Sequence, residues 1–269
     1  MRTKTTIFPF LMAIIGLVLI SCGDTSDFRF DYAMDTPVAI TEAKSGDLKC
    51  ISPSYPGVWD AWTPEQVAVG LDRVAEMPLE LVHIGFGLSW VDFVNEDGTF
   101  NWEDSDAQVN RIVDMGKRVS LIFSALENWP EEYDDDVMGE EFTEAYISLA
   151  RAILDRYKGS VDYYWIDNEV NLALHEKHLD PVRYARFYDN VRSALRVSYP
   201  DVRVGVVVTY PYELSENALT SPDGIVIEIM DNTSPGGLFG VTFYPQFLAL
   251  SPEEGAASLG LVEELFENR

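Results

Sequence analysis

Six short runs of β-branched and aromatic residues recur along this chain at near-even steps, and that spacing limits what it can fold into. They are Lys49-Cys50-Ile51-Ser52, Leu81–Phe86, Arg118–Phe123, Val161–Trp165, Val204–Thr209 and Phe239–Pro245. Their centres lie about 34 to 43 residues apart, room for one strand and one helix each. Helix signals stand between them. Thr63-Pro64-Glu65-Gln66 has a capping Thr, a Pro at the first helical position and a Gln three after the cap, and predicts a helix to about Glu76. Asp104–Met115 places Val109, Ile112 and Val113 at helical spacing before the stop at Gly116. Further helices are expected over Phe142–Tyr157, from Asp180-Pro181 to Tyr199, around Ile225–Met230 and from Ser251 onward.

Strands alternating with helices predict an α/β fold with a parallel sheet and right-handed crossovers. A doubly wound sheet fits the alternation. A TIM (β/α)8-type barrel fits better, because polar and aromatic residues follow nearly every strand, as at a barrel mouth. About six of the eight units of such a barrel are then present, over residues 47–269. A seventh and eighth would take roughly 70–80 further residues, so a C-terminally truncated chain is expected.

The remaining residues read as an address and a tether. Arg2 and Lys4 precede the apolar run Ile7–Ile20, which is short for a membrane span and interrupted by Pro9. Leu19-Ile20-Ser21-Cys22-Gly23 resembles a bacterial lipobox. The resemblance implies that residues 1–22 include a cleaved lipoprotein signal, with lipid on Cys22. Export to the cell envelope follows, the domain lying outside the cytoplasm and touching membrane only through that lipid. An ordinary signal peptide or an uncleaved anchor is the alternative. Residues 23–46 have weak periodicity and read as a tether. Cys50 then has no partner for an internal disulfide and reads as a small buried residue. With 45 acidic against 19 basic residues and a formal charge of −26, the chain is a poor nucleic-acid binder and suits a neutral partner.

The fourth apolar run ends in the polar cluster Asp167, Asn168, Glu169 and Asn171. Strand ends of this kind carry the chemistry of α/β folds. Asn168-Glu169 at the end of the fourth unit resembles the acid/base motif of the (β/α)8 clan of retaining glycoside hydrolases that includes cellulases, xylanases, β-galactosidases and endo-galactanases. Ile84-Gly85-Phe86 to Trp90, followed by Gly98-Thr99-Phe100-Asn101-Trp102 and Asp106, is similar to the clan's second unit, and Phe243-Tyr244-Pro245 to its sixth strand end. The resemblance implies hydrolysis of O-glycosidic bonds in a poly- or oligosaccharide by a two-carboxylate retaining mechanism, with no cofactor. It makes Glu169 the acid/base, sets Asn168 on the sugar 2-hydroxyl and Tyr244 on the nucleophile, and places the nucleophile on a seventh strand, so the sequence as given is expected to lack the second carboxylate and to be inactive without it. Trp90, Trp129, Tyr55 and Trp59 are candidates to stack on sugar rings, with core packing the alternative for each. Asp167 stands where clan members often have a small residue. Its carboxyl would alter the acidity of Glu169 or point away.

Other readings compete. A non-catalytic surface lipoprotein that binds glycans would need the aromatics but not Glu169. His175-Glu176-Lys177-His178 has the wrong spacing for a zinc HExxH helix. The acidic loop Glu131–Glu141 lacks the ligand spacing of an EF-hand and reads as solvated. Gly85-Phe86-Gly87 lacks the third glycine of a dinucleotide fingerprint. Glu213 and Glu228 read as surface residues.

Overall fold

The computed structural model describes residues 50–51, 72, 74–78, 80–84, 90–95, 98–210 and 221–242. Cys22, the tether, Tyr55, Trp59, Gly85–Gly87, Glu213, Tyr244 and the helix expected from Ser251 lie outside the described residues. The chain divides into two compact units, Met1–Leu81 and Val82–Arg269. In the first, β1 is Cys50–Ile51 and residues 74–76 are helical, with Val74 buried.

The second unit takes β2 (Leu81–Ile84) at its boundary, then α1 (Trp90–Phe93), α2 (Glu103–Asp114) and β3 (Arg118–Ile122). A 3-10 turn (Glu131–Tyr133) leads to α3 (Glu140–Arg156) and β4 (Val161–Trp165). Next come α4 (Val170–Lys177), α5 (Pro181–Ser198), β5 (Arg203–Thr209), α6 (Pro222–Asn232) and β6 (Phe239–Thr242).

Local chemistry explains the boundaries. Gly116, at φ +72°, takes the left-handed turn that ends α2, a conformation an L side chain resists. Asp180 accepts from Val182 N at 2.9 Å and Pro181 fills the first turn of α5. Ser221 caps α6 in the same way through Gly224 N at 3.1 Å, ahead of the stretch Ile225–Met230.

The strands lie side by side in chain order from β2 to β6, and β3–β4, β4–β5 and β5–β6 pair in parallel. The register puts Ser120, Tyr163 and Arg203 in one row and Ile122, Trp165 and Gly205 in the next. Side chains alternate faces along a strand. Leu121, Tyr164, Val204, Val206 and Val208 therefore share the opposite face, and all are buried. Helices α3 and α5 cover that face. Tyr146 of α3 meets the Tyr164 hydroxyl at 3.3 Å and stacks on Phe123 at 5.1 Å. Tyr188 of α5 donates to the Leu238 carbonyl at 3.2 Å and packs on Phe239. A doubly wound sheet would reverse its strand order and send helices to both faces. Among the described residues the strand order does not reverse, and the fold is α/β of the singly wound (β/α)-barrel type.

Candidate functional site

The parallel strands all point their C-terminal ends the same way, so the loops after β3 and β4 are neighbours on one rim. The β4 pairing continues one turn past the strand. Ile166 N donates to Gly205 O at 2.9 Å, and Val207 N to Asp167 O at 3.1 Å. The polar cluster then begins on backbone that is still held.

Asp167 points away from Glu169. It is buried, and its Oδ1 accepts from Ala125 N at 2.8 Å and Leu126 N at 3.0 Å, while Oδ2 accepts from the Tyr184 hydroxyl at 3.0 Å. One carboxyl thus ties the loop after β3, the end of β4 and helix α5 together. Burial raises its pKa to about 7, against three donors that pull it down.

Asn168 follows, half-buried, with its Oδ1 enclosed and without a hydrogen-bond partner among the described residues. Glu169 is half-buried and left-handed, at φ +50° and ψ +41°. A side-chain-bearing residue pays about 1–2 kcal/mol for that conformation. It sits at the N-cap position of α4, yet its side chain does not cap the helix. Asn171, two residues on, is fully buried. It accepts from Thr209 N at 2.8 Å and donates to the carbonyls of Thr209 at 2.9 Å and Pro222 at 3.2 Å, which pins β5 and α6 to α4.

Trp129 lies on the adjoining loop and is half-buried. Its Nε1 donates to Asp134 at 2.9 Å, and the Lys177 ammonium stands 4.3 Å from its ring centre. Lys177 also donates to Leu126 O at 2.5 Å and Glu127 O at 3.0 Å, and burial lowers its pKa. The peptide of Leu126 is therefore gripped on its N–H by Asp167 and on its carbonyl by Lys177. The acidic loop takes part in this ordering: Asp134 holds Trp129, and Asp136 pairs with Arg183 of α5. Among the described residues no group of three or more metal-ligating side chains is arranged to hold an ion.

No protein-family model matches this chain, and no curated protein does either. Solved structures do. The chain is similar to a glucosidase from Croceicoccus marinus, with 13% identity and a TM-score of 0.46 over 64% of this chain and 39% of that one. It is similar to a β-glucosidase from Thermotoga maritima, with 12% identity and a TM-score of 0.45 over 65% and 52%. A β-galactosidase from the psychrophilic Marinomonas ef1 gives 12% identity and a TM-score of 0.48 over 73% and 40%. The chain thus spans between 39% and 52% of the length of these structures.

Of the residues singled out in the sequence, Asn168 and Glu169 are adjacent on the β4 rim and Trp129 is on the loop after β3. Trp90 is elsewhere. Only 4% exposed, it packs among Tyr133, Phe142 and Tyr146 with ring centres 5.2 to 5.8 Å away, which makes it a core residue. Lys177 went unnoticed as a functional neighbour because it falls in α4, a helix with no cap signal. Its one trace in the sequence is a basic residue eight after Glu169, about 12 Å along a helix.

Proposed function

We propose that the chain is a glycoside hydrolase acting on O-glycosidic bonds of an oligo- or polysaccharide, with Glu169 as the proton donor and acceptor. The observation that carries this reading is the left-handed backbone of Glu169 beside the enclosed, unpartnered Asn168 Oδ1, at the C-terminal end of β4. Strain and unmet polar atoms concentrate where a fold holds residues for a ligand. Glu169 would protonate the departing glycosidic oxygen and then take a proton from the attacking water. The Asn168 amide would donate to a sugar hydroxyl through Nδ2. The retaining form of the reaction adds a second carboxylate about 5–5.5 Å away, with Tyr244 against it. Trp129, steadied by Asp134 and Lys177, offers an aromatic surface farther along the rim. Export and lipid attachment at Cys22 belong to the same proposal and rest on the first 23 residues.

The test is hydrolysis of a panel of aryl β-glycosides and β-linked oligosaccharides by the full chain and by Glu169→Gln. Turnover that falls at least a hundredfold in the variant supports the reading. Sugar binding with no turnover in either protein would replace it with the glycan-binding one.

A further inference from the structure

The inner face of the sheet carries a set of contacts that the chemistry above does not use. Trp165 is the last residue of β4, four before Glu169, and its side chain lies on the face opposite Tyr164. Its Nε1 donates to Ser120 Oγ on β3 at 2.7 Å. Ser120 Oγ also meets His83 Nδ1 of β2 at 2.8 Å. Burial lowers the His83 pKa to about 4, so the ring is neutral at pH 7 and shares a single proton with Ser120 across this contact. The Tyr163 ring runs parallel to the indole, with centres 5.8 Å apart and planes 10° off, and the Arg203 guanidinium sits over Tyr163.

The other edge of the indole reaches across β5 and β6. A Cβ at Gly205 would come within 2.6 Å of Cζ3, and one at Gly240 within 3.2 Å of the same atom. A side chain at Gly205 would collide with the ring and with the Leu238 carbonyl at 2.8 Å, and one at Gly240 would crowd the ring. The indole therefore spans the inner face from Ser120 to Gly240, fixed at its N–H and bedded on two glycines. Filling a barrel interior needs volume alone, which branched aliphatic residues usually supply. Here an aromatic ring that remains half-buried lies against glycines on two strands.

We propose that Trp165 is a carbohydrate-contacting surface, on which the apolar C–H face of a neutral sugar ring lies next to Glu169. This rests on the glycosidase reading and names the part of the site that receives the ring. An indole held against rotation offers a large apolar plane at little entropic cost. The formal charge of −26 disfavours an acidic sugar there.

The experiment uses the full chain carrying Glu169→Gln, so that bound sugar is not consumed. Cellotetraose, β-1,4-galactotetraose and β-1,4-mannotetraose are titrated by calorimetry and by indole emission. The expected result is that at least one probe binds and shifts the emission. Adding Trp165→Phe should weaken that probe by about tenfold or more, close to 1.4 kcal/mol, and abolish the emission change. Gly205→Ala, which keeps the indole but displaces it, should weaken the same probe and shift the emission of the unliganded protein. It also serves if the Phe variant does not fold. Unchanged affinity and emission response in Trp165→Phe would overturn this proposal and leave Glu169 in its role. Failure of all three probes to bind would overturn the carbohydrate reading and Trp165 with it.

Discussion

Replacing Asp167 with Asn should change how stability depends on pH. The carboxyl is wholly buried, and burial raises its pKa from 3.8 to about 7. An acid whose folded pKa is raised binds its proton more tightly when folded. Its contribution is therefore fully present below about pH 4 and is lost as pH rises through about 7. Roughly three pKa units at about 1.4 kcal/mol each make that loss about 4 kcal/mol. Asparagine keeps an oxygen for Ala125 N and Leu126 N and presents an amide to the Tyr184 hydroxyl, and it never ionises. The stability of Asp167→Asn relative to the native chain should thus rise by about 4 kcal/mol between pH 4 and pH 8, roughly ten degrees in Tm for a chain of this size. Urea unfolding followed by circular dichroism at four pH values measures it, and the many exposed carboxylates cancel in the difference. A gap that stays constant with pH would refute the reasoning. A gap that shrinks as pH rises would show that the three donors outweigh burial and hold the carboxyl down.

Other outcomes follow from neighbouring contacts. Asn171→Ala should cost about 2–4 kcal/mol in chemical denaturation, because it strands the buried Thr209 N–H and two carbonyls. Lys177→Met should cost about 1–3 kcal/mol by removing the hold on Leu126 O and Glu127 O, and should shift Trp129 emission as the ammonium leaves its ring. Glu169→Gly should abolish turnover without lowering Tm by more than a degree or two, since glycine adopts the left-handed backbone without strain. Hydrogen exchange of the Glu169 variant should leave β4 protection unchanged.

The strands were legible because each is a compact β-branched run. Two helix boundaries were legible because Gly116 and Asp180-Pro181 carry turn and cap chemistry that acts locally. Helix α4 was not legible. It starts from a left-handed Glu169 with no side-chain cap, so its stability comes from Asn171 and the packing of Val170 and Leu174 rather than from local signals. The candidate site divides in the same way. Asn168 and Glu169 stood out as polar residues closing an apolar strand. Trp90 and Trp129 looked alike, each an aromatic after a strand, and only tertiary packing sends one into the core and leaves the other on the rim. For Asp167 the sequence left open whether it tunes Glu169 or points away. Its partners, Ala125, Leu126 and Tyr184, are distant in sequence, and no local pattern encodes them. Gly205 and Gly240 read as ordinary strand glycines until Trp165 is seen lying against both.

The most direct test of Glu169 as acid/base is the dependence of its loss on the leaving group. Native chain and Glu169→Ala are compared on 2,4-dinitrophenyl and phenyl β-glycosides of the same sugar. A dinitrophenolate departs without protonation, whereas phenolate benefits from a proton donor. The account predicts that the variant loses at least a hundredfold more on the phenyl glycoside than on the dinitrophenyl one. An equal loss on both, or none on either, would contradict it.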